Sequence, residues 1–537
     1  HNSVWRVLII LPNEILCSFS VFSGMLSLCI VVCLLSAHAI SCPSEDFEES
    51  VSSKLAEAIT KLRNDKILTK PFMWGTATAA YQVEGGWNEG GRVPSHWDTF
   101  THTSAAKGLR KIRNDDNGDV ACDFYHKYKD DIKLMKDLNF THFRYSISWP
   151  RVMNGTEINE EGIQFYRNLT ALLIENGIEP VVTLYHWDLP DIYDWRNETV
   201  MEAFGEFANL MFDELQGVKF WITFNEPYIF CKFGYHLGNH APGVKSAADH
   251  LKCGHNVLKS HAKAYSIWKE LYEKERPDAM VGITLNSEWY VPFDGNDPDD
   301  LDAARALTDL QVGWFADPIY GTGDYPESLK AHYGDDMPLF TEKEKAAVKG
   351  SADFFGLNHY TTRYVKATAE GGYRKMTMRR SVPIGPQAAS SWLYIVPWGF
   401  SRLLKYVNQR WKPKSIIVTE NGMSDEDSND TASLIDDQNR VWYYQEYLKE
   451  MAKAMLEGSV PVAGYFAWSL MDNFEWAEGF DERFGLTYVD FNDPERPRTA
   501  KRSAKYLGAL IPSVEAQIGA CQSLDNLTAN GQLRIRL

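Results

Sequence analysis

The sequence predicts an α/β fold, a single (β/α)8 TIM barrel with extended βα loops. Three observations predict it. From residue 71 onward, short apolar, β-branched and aromatic runs alternate with longer amphipathic stretches, and eight such runs can be placed. The alternation is typical of parallel strands joined by helices, and eight repeats favour a closed barrel. No Gly-rich turn follows a predicted strand, which argues against an open dinucleotide-binding sheet.

The predicted elements define where functional side chains should lie. Strands are predicted at residues 72–76, 142–147, 179–184, 220–224, 280–285, 354–357, 416–419 and 462–467. Helical periodicity lies between them at residues 123–138, 161–176, 200–214, 255–275 and 441–456. In a barrel of this kind the reactive groups lie where strands end and βα loops begin.

Composition divides the chain into five segments. Residues 1–24 precede Met25 and are interpreted as an upstream or non-native segment. Residues 25–41 are typical of a signal peptide, because an apolar run precedes the small-x-small sequence Ala37-His38-Ala39. Residues 42–70 form a charged N-terminal extension, 71–511 the barrel domain, and 512–537 a polar C-terminal tail that is expected to be loose.

The signal peptide predicts a secreted, extracellular and N-glycosylated protein. Cys231 and Cys253 are a candidate disulfide pair, although spacing alone leaves the connectivity open. Asn139 leads into a predicted strand, where access is expected to be poor. Sequons occur at Asn139, Asn154, Asn168, Asn197, Asn429 and Asn526.

Charge and hydropathy exclude some partners. The formal net charge of −17 argues against nucleic acid or an anionic membrane surface as the main partner. No segment after the signal peptide is apolar enough to span a bilayer. The oligomeric state is left open.

Two carboxylates follow predicted strands in a pattern that suits glycoside hydrolysis. Glu226 follows the fourth strand in the sequence TFNEP, and Glu420 follows the seventh in TENG. A retaining glycosidase needs two carboxyl groups about 5 Å apart, one as nucleophile and one as acid/base. The apolar run before Glu226 would desolvate it and raise its pKa, as an acid/base requires, whereas Arg144 and Tyr360 would keep Glu420 ionised as the nucleophile.

Other polar and aromatic groups at strand ends suit a polar, ring-shaped ligand. A single such residue is more often structural, but their coincidence at seven strand ends favours one site. They are Gln82, Glu84, Arg144, His186, Trp187, Asp188, Asn225, Asn358, Tyr360, Trp468, Glu475 and Trp476.

At these residues the chain resembles family 1 of the glycoside hydrolases, the β-glucosidase family, from Pro71 to about Ile511. The matching strings are FMWGTATAAYQVEGG, FRYSISW, HWDLP, TFNEP, TENG and WSLMDNFEW, in that order. The resemblance implies Glu226 as acid/base and Glu420 as nucleophile, with Tyr360 orienting the nucleophile. It also implies a sugar pocket walled by Phe484, with Trp468 stacked beneath the ring. The substrate-binding residues are then Gln82, His186, Asn225, Asn358, Trp468, Glu475, Trp476 and Phe484.

The leaving-group side of the site is less defined. The chain is closest in character to animal, especially insect, family members. Lys232 and Arg363 resemble the sulfate-binding cations of insect myrosinases, which hydrolyse glucosinolates. A pair of cations would suit an anionic aglycone, and Trp187 is assigned to the same region. The opposing interpretation is that both cations are solvated or salt-bridged residues of the rim.

The expected function is therefore hydrolysis of β-glucosides by a retaining β-glucosidase. The expected partner is a small-molecule β-glucoside or short oligosaccharide, and no metal or organic cofactor is implied. One alternative is a myrosinase-like thioglucosidase. Another is a non-catalytic, klotho-like binding protein, which the presence of both Glu226 and Glu420 disfavours.

Overall fold

Eight parallel strands close into a barrel, as the sequence predicts. The computed structural model describes residues 4–10, 16–22, 50–369 and 372–529. Each strand pairs in parallel with the next along the chain, and the eighth pairs with the first. The strands are β1 Met73–Ala77, β2 His142–Ser146, β3 Glu179–Tyr185, β4 Phe220–Asn225, β5 Met280–Asn286, β6 Phe355–Asn358, β7 Ile416–Asn421 and β8 Val462–Trp468.

Amphipathic helices surround the barrel. The helix Phe124–Asp137 lies between β1 and β2 in the chain. Its buried residues Phe124, Tyr128, Ile132 and Met135 recur at helical spacing and form the face that packs inward. The longer helices are α1 Val51–Asn64, α2 Phe124–Asp137, α3 Glu160–Glu175, α4 Thr199–Glu214, α5 Asp249–Leu271, α6 Pro397–Trp411, α7 Gln438–Gly458 and α8 Arg502–Ala529.

The helix of the charged extension packs against two C-terminal helices outside the barrel. The charged extension contains α1, which buries Leu55, Ile59 and Leu62 and contacts α7 and α8. The expectation of a loose tail from residue 512 is wrong for the residues that follow directly. There α8 continues, and Val514 and Ile518 are buried one turn apart on the face it presents inward. Glu515 and Gln517, which lie between them, are polar and conceal this stripe in the sequence.

The structure describes only part of the N-terminal region for which predictions were made. Residues Val4–Ile10 and Leu16–Phe22 pair as an antiparallel two-stranded sheet. The predicted signal peptide at 25–41 lies outside the described residues. In the part of the chain that the structure describes, no helix is both long and apolar enough to cross a membrane.

Disulfide and sequon predictions can be compared with the structure directly. Cys231 and Cys253 form a disulfide with a Cα–Cα distance of 5.6 Å, which confirms the predicted pair. Asn139 is exposed, but its side-chain amide donates a 2.9 Å hydrogen bond to the Gly508 carbonyl. The side chain of Asn526 lies outside the described part of the chain. The remaining sequon asparagines are exposed: Asn154, Asn168, Asn197 and Asn429.

A separate cavity lies at the other end of the barrel. A cavity of about 750 Å³ opens at the amino-terminal end and is lined largely by the first residues of strands, among them Met73, Phe220 and Met280. The predicted catalytic residues lie at the carboxyl-terminal ends of their strands, Glu226 directly after β4 and Glu420 near the end of β7. This cavity therefore lies at the opposite end of the barrel from them.

Candidate active site

The acid/base candidate sits on a sharp turn between strand and helix. Glu226 directly follows β4, and its φ of 49° lies in the left-handed region. The chain then enters the short helix Pro227–Lys232. Both flanks are fastened to α5, because Thr223 hydrogen-bonds His261 at 2.7 Å and Cys231 is bonded to Cys253. Glu226 is thereby held at the barrel mouth, only 7% exposed.

The nucleophile candidate lies within β7, one residue beyond the end that the sequence predicts. The Arg144 guanidinium donates to Oε1 of Glu420 at 2.5 Å, and the Tyr360 hydroxyl donates to Oε2 at 2.8 Å. Burial raises the pKa of Glu420, while these two hydrogen bonds and the charge of Arg144 oppose the rise. Both oxygens of the carboxylate are thus held by donors that favour its ionised form.

Asn358 and Arg144 connect the two carboxylates. The Asn358 amide donates to Oε1 of Glu226 at 2.7 Å, and its carbonyl oxygen accepts a 2.7 Å hydrogen bond from the Thr419 hydroxyl, next to Glu420. Arg144 donates to Asn225, next to Glu226, at 2.7 Å. The two carboxylates, predicted from distant parts of the sequence, therefore belong to one hydrogen-bonded site.

The two carboxyl groups have unequal proton affinity. Burial, and then the negative charge of Glu420, raise the pKa of Glu226 to about 8. Arg144 lies directly against Glu420, so the proton of the pair resides on Glu226 at neutral pH. One neutral acid beside one carboxylate is the division of roles that a retaining glycosidase requires.

The predicted sugar-binding polar groups line the same mouth. Gln82 is fully buried and donates to Asn473 and to the Phe474 carbonyl, each at 2.9 Å. His186 accepts a 2.9 Å hydrogen bond from Asn225, and burial lowers its pKa, so the ring is neutral. Among the described residues, Oε1 of Gln82 and Nδ1 of His186 are buried without a partner. Unpaired buried polar atoms suit a ligand rich in hydroxyl groups.

Glu475 completes this polar side. Its carboxylate accepts a long 3.4 Å hydrogen bond from Gln82, and burial together with nearby acidic groups raises its pKa. Below its loop, Asp472 is fully buried between Lys501 at 2.7 Å and Arg483 at 2.8 Å. This buried ion cluster ties the loop after β8 to the start of α8.

Aromatic side chains form the apolar wall. The ring of His186 lies 5.9 Å from that of Trp468 and 6.1 Å from that of Trp476, both stacked. Phe484 lies 6.1 Å from Tyr360. Trp187, predicted at the aglycone side, packs 4.4 Å from Trp476 and is 7% exposed. Its assignment to the leaving-group side stays a prediction.

The two predicted aglycone cations differ in their surroundings. Arg363 is 5% exposed, and its guanidinium donates to Thr361 at 3.1 Å, to the Thr362 carbonyl at 3.2 Å and to the Trp392 carbonyl. These three acceptors already engage the guanidinium, which argues against Arg363 as a cation for the aglycone; sequence spacing gives no side-chain direction. Lys232 is half-buried; burial lowers its pKa and the nearby charge of Lys375 adds to this.

Sequence reasoning missed Trp392. Its indole is 43% exposed, and its ring centre lies 5.7 Å from that of Tyr360 at an interplanar angle of 80°. The residue lies between the short strand Val382–Pro383 and α6, in a stretch that lacks helical or strand periodicity. An aromatic residue in such a loop was the only signal available.

A closed (β/α)8 barrel with a neutral acid and a carboxylate at the ends of β4 and β7, beside a polar and aromatic pocket, defines a glycoside hydrolase. The sequence profile of Glycosyl hydrolase family 1 matches residues 64–515, and the chain belongs to that family. It is a glycoside hydrolase enzyme whose relatives include β-glucosidases.

Relatives from several kingdoms are similar over most of their length. The chain is 43% identical over 447 residues to Beta-glucosidase 42 of Arabidopsis thaliana, covering 79% of this chain and 89% of that protein. The crystal structure of a β-glucosidase from the fungus Trichoderma harzianum matches with a TM-score of 0.80 at 40% identity, covering 83% and 98% of the two chains. An aphid myrosinase matches with a TM-score of 0.76 at 35% identity, covering 82% and 98%.

Proposed function

We propose that this enzyme is a retaining β-glucosidase that acts through a covalent glucosyl-enzyme intermediate on Glu420. The observation that carries the proposal is that Glu226 and Glu420 meet in one hydrogen-bonded site at the barrel mouth, linked through Asn358 and Arg144. Their surroundings differ: Arg144 and Tyr360 hold Glu420, whereas burial and the charge of Glu420 raise the pKa of Glu226 to about 8. The β-glucosidases among its relatives support glucose as the sugar.

In the first step, an oxygen of Glu420 attacks the anomeric carbon and forms an ester as the glycosidic C–O bond breaks. Glu226 gives its proton to the departing oxygen, so the aglycone leaves as a neutral alcohol. The sugar would bind between the polar side formed by Gln82, His186 and Glu475 and the aromatic wall.

The second step reverses the role of Glu226. Once Glu420 is esterified, its negative charge is gone, and one cause of the raised pKa of Glu226 disappears. Glu226 is then the better base. It takes a proton from water, the water oxygen attacks the anomeric carbon, and Glu420 leaves as a carboxylate with the β-configuration retained.

The leaving group is proposed to be uncharged. The myrosinase alternative relied on Lys232 and Arg363 acting together on a sulfate, and Arg363 is already engaged by three oxygen acceptors. Lys232 alone remains for that role. A thioglucosidase is therefore the second candidate, to be tested with a glucosinolate beside an aryl glucoside.

We also propose that the protein is secreted and N-glycosylated. The disulfide and the exposed sequon asparagines support this, since disulfides persist in oxidising compartments. Loss of mass on treatment of the protein from its natural source with an N-glycosidase would test it.

Turnover of an aryl β-glucoside followed by proton NMR tests the mechanism. We expect β-glucose as the first product, and a glucosyl adduct on the peptide that contains Glu420 when a 2-fluoro-glucoside slows the second step. Glu420→Gln should abolish turnover. α-Glucose as the first product, or full activity of that variant, would refute the proposal.

A further inference from the structure

A small sheet outside the barrel carries an exposed basic face, formed by Lys366, Arg374 and Arg379, on a chain whose net charge is −17. We propose that this basic face binds a linear anionic polysaccharide and so holds the enzyme on a polymer that is not its substrate. The inference goes beyond the proposed β-glucosidase function and does not depend on it.

The basic face belongs to a three-stranded sheet at the same end of the barrel as the two candidate catalytic carboxylates. Its strands, two of which follow β5 and β6 closely, are Trp289–Pro292, Thr362–Ala367 and Tyr373–Met376. One side of the sheet packs against the helix Pro298–Thr308 and buries Tyr290 and Val365. Lys366 follows Val365 in its strand, so its side chain points to the opposite, open side.

Lys366 and Arg374 are like charges in direct opposition. They are register partners on adjacent antiparallel strands, and both are exposed. Side chains in such positions have Cβ atoms about 5 Å apart, and like charges there are destabilising. Neither residue forms an ion pair within the part of the chain that the structure describes. A local arrangement that lowers stability without internal compensation is typical of a functional site, and an anion bound across the two strands would remove the repulsion.

Aromatic rings hold a third cation on this face. The Arg379 guanidinium lies 4.8 Å from the Tyr364 ring centre, and one of its nitrogens donates to the Phe293 carbonyl at 3.2 Å. The Lys366 ammonium lies 5.2 Å from the ring centre of Phe293. The rings restrict the cations without neutralising them, so less conformational entropy is lost when an anion binds.

Acidic groups near the basic face are engaged elsewhere. The carboxylates of Asp294 and Asp300 accept hydrogen bonds from backbone N–H groups of the adjoining loop and strand. Residues 362–383 contain six Lys or Arg and one acid, Glu370, which lies outside the described residues. The acidic remainder of the surface is screened beyond about 8 Å at physiological ionic strength. The basic face therefore presents its own positive potential.

The chemistry of this face fits a linear polysaccharide that carries sulfate or carboxylate groups. A guanidinium can bind either group through two parallel hydrogen bonds, and an ammonium binds it as a point charge. The rings of Phe293 and Tyr364 add apolar surface between the cations, which suits the faces of sugar rings. A nucleic acid duplex is disfavoured, because its interface requires a much wider basic surface than three cations on an acidic protein provide.

The test measures the Kd of a heparin decasaccharide and of a polygalacturonate oligomer by isothermal titration calorimetry at about 0.15 M salt. The two polymers distinguish sulfate from carboxylate recognition. We expect the wild type to bind at least one of them. In Lys366→Gln/Arg374→Gln/Arg379→Gln the Kd for that polymer should rise about 10- to 100-fold, because three contacts that release counterions are lost.

A matched control removes the same charge from α2 and α8. It replaces three exposed lysines that form no ion pair with another described residue, and it should leave Kd within about threefold of the wild type. The control is Lys129→Gln/Lys133→Gln/Lys505→Gln.

A second variant separates binding from folding. Arg374→Glu places a carboxylate opposite Lys366, so the free energy of unfolding should hold or rise while Kd increases at least as far as in Arg374→Gln.

Three results would overturn the inference. The first is a wild-type Kd above about 1 mM for both polymers. The second is an equal loss of affinity in the basic-face variant and the matched control, which would indicate a response to net charge alone. The third is a DNA duplex that binds as tightly as either polysaccharide, which would show that the face does not select this class of partner.

Discussion

The side-chain amide of Asn358 donates a 2.7 Å hydrogen bond to Glu226, and this bond lowers the pKa of a carboxyl group that burial raises. Replacing Asn358 with Leu removes the donor. We expect the pKa of Glu226 to rise above its value of about 8, because a hydrogen bond to the ionised form is lost. The alkaline limb of kcat/KM against pH should then move to higher pH. An unchanged limb would contradict this role of Asn358.

The alkaline limb itself should report Glu226. The acid form is required in the first step, so kcat/KM should fall as pH rises through about 8 in wild-type enzyme. In Glu226→Gln no proton is available, so this limb should disappear. The variant should lose far more activity on alkyl glucosides than on dinitrophenyl glucosides, since only the poorer leaving groups need protonation. Equal losses on both substrates would argue against the acid role.

Tyr360→Phe should weaken the nucleophile. The hydroxyl donates to Glu420 at 2.8 Å, and a hydrogen bond to a charged group contributes roughly 1.5–3 kcal/mol. We expect kcat/KM to fall by about 10- to 100-fold. The pKa of Glu420 should rise, so the acid limb should move to higher pH. A rise in KM alone, with no shift of this limb, would indicate that the hydroxyl contacts the substrate instead.

The disulfide should contribute to stability. Cys231 and Cys253 close a loop with a sequence separation of 22 residues, and such a link stabilises by about 3 kcal/mol. We expect dithiothreitol to lower the free energy of unfolding of the wild type, measured in urea. The Cys231→Ser/Cys253→Ser variant should be less stable and insensitive to the reductant. Sensitivity of that variant would show that the effect has another source.

The buried ion cluster under the Glu475 loop should contribute far more to the free energy of unfolding than an exposed ion pair does. Lys501→Met removes one of the two cations paired with buried Asp472 and leaves the Arg483 guanidinium and the Gly485 N–H as donors. Breaking a buried pair is destabilising by about 3–5 kcal/mol. The matched control is Lys61→Met, which removes an exposed ion pair with Asp65 and should change stability little. Similar losses in urea unfolding for both variants would contradict the expectation.

The same cluster gives stability a pH dependence. Lys501 and Arg483 lower the pKa of Asp472 in the folded state despite burial. A lowered folded-state pKa means that the stability it contributes is present above the unfolded-state pKa. This stability is lost as pH falls through the folded-state pKa. We expect wild-type protein to lose stability in acid more steeply than Asp472→Asn.

The barrel and its two candidate catalytic carboxylates could be predicted because both depend on short, local sequence patterns. Strands β1 to β8 consist of short β-branched and aromatic runs with clear boundaries, and each predicted end lies within two residues of the observed one. Strand ends of a parallel barrel share one face. Glu226 and Glu420 could therefore be placed together although they are distant in the chain.

What could not be predicted depends on side-chain direction and on irregular chain. Arg363 follows Tyr360 closely, yet its side chain is buried and donates to Thr361 and to the Trp392 carbonyl. Trp392 lies in a loop with no periodic pattern. Pro512 suggests a helix end, but the proline lies inside α8, and the apolar stripe continues to Ile518. Tertiary packing settles each of these cases, and local pattern does not carry that information.

Two links to α5 hold the turn that carries Glu226: the Thr223–His261 hydrogen bond and the Cys231–Cys253 disulfide. One link forms wherever the chain folds, and the other forms only where thiols are oxidised. Enzyme prepared in a reducing host should therefore be a mixture of molecules with and without the disulfide. Its active-site titre, the concentration of working sites, should be lower than its protein concentration. The missing titre should return when the purified protein is exposed to a glutathione redox buffer.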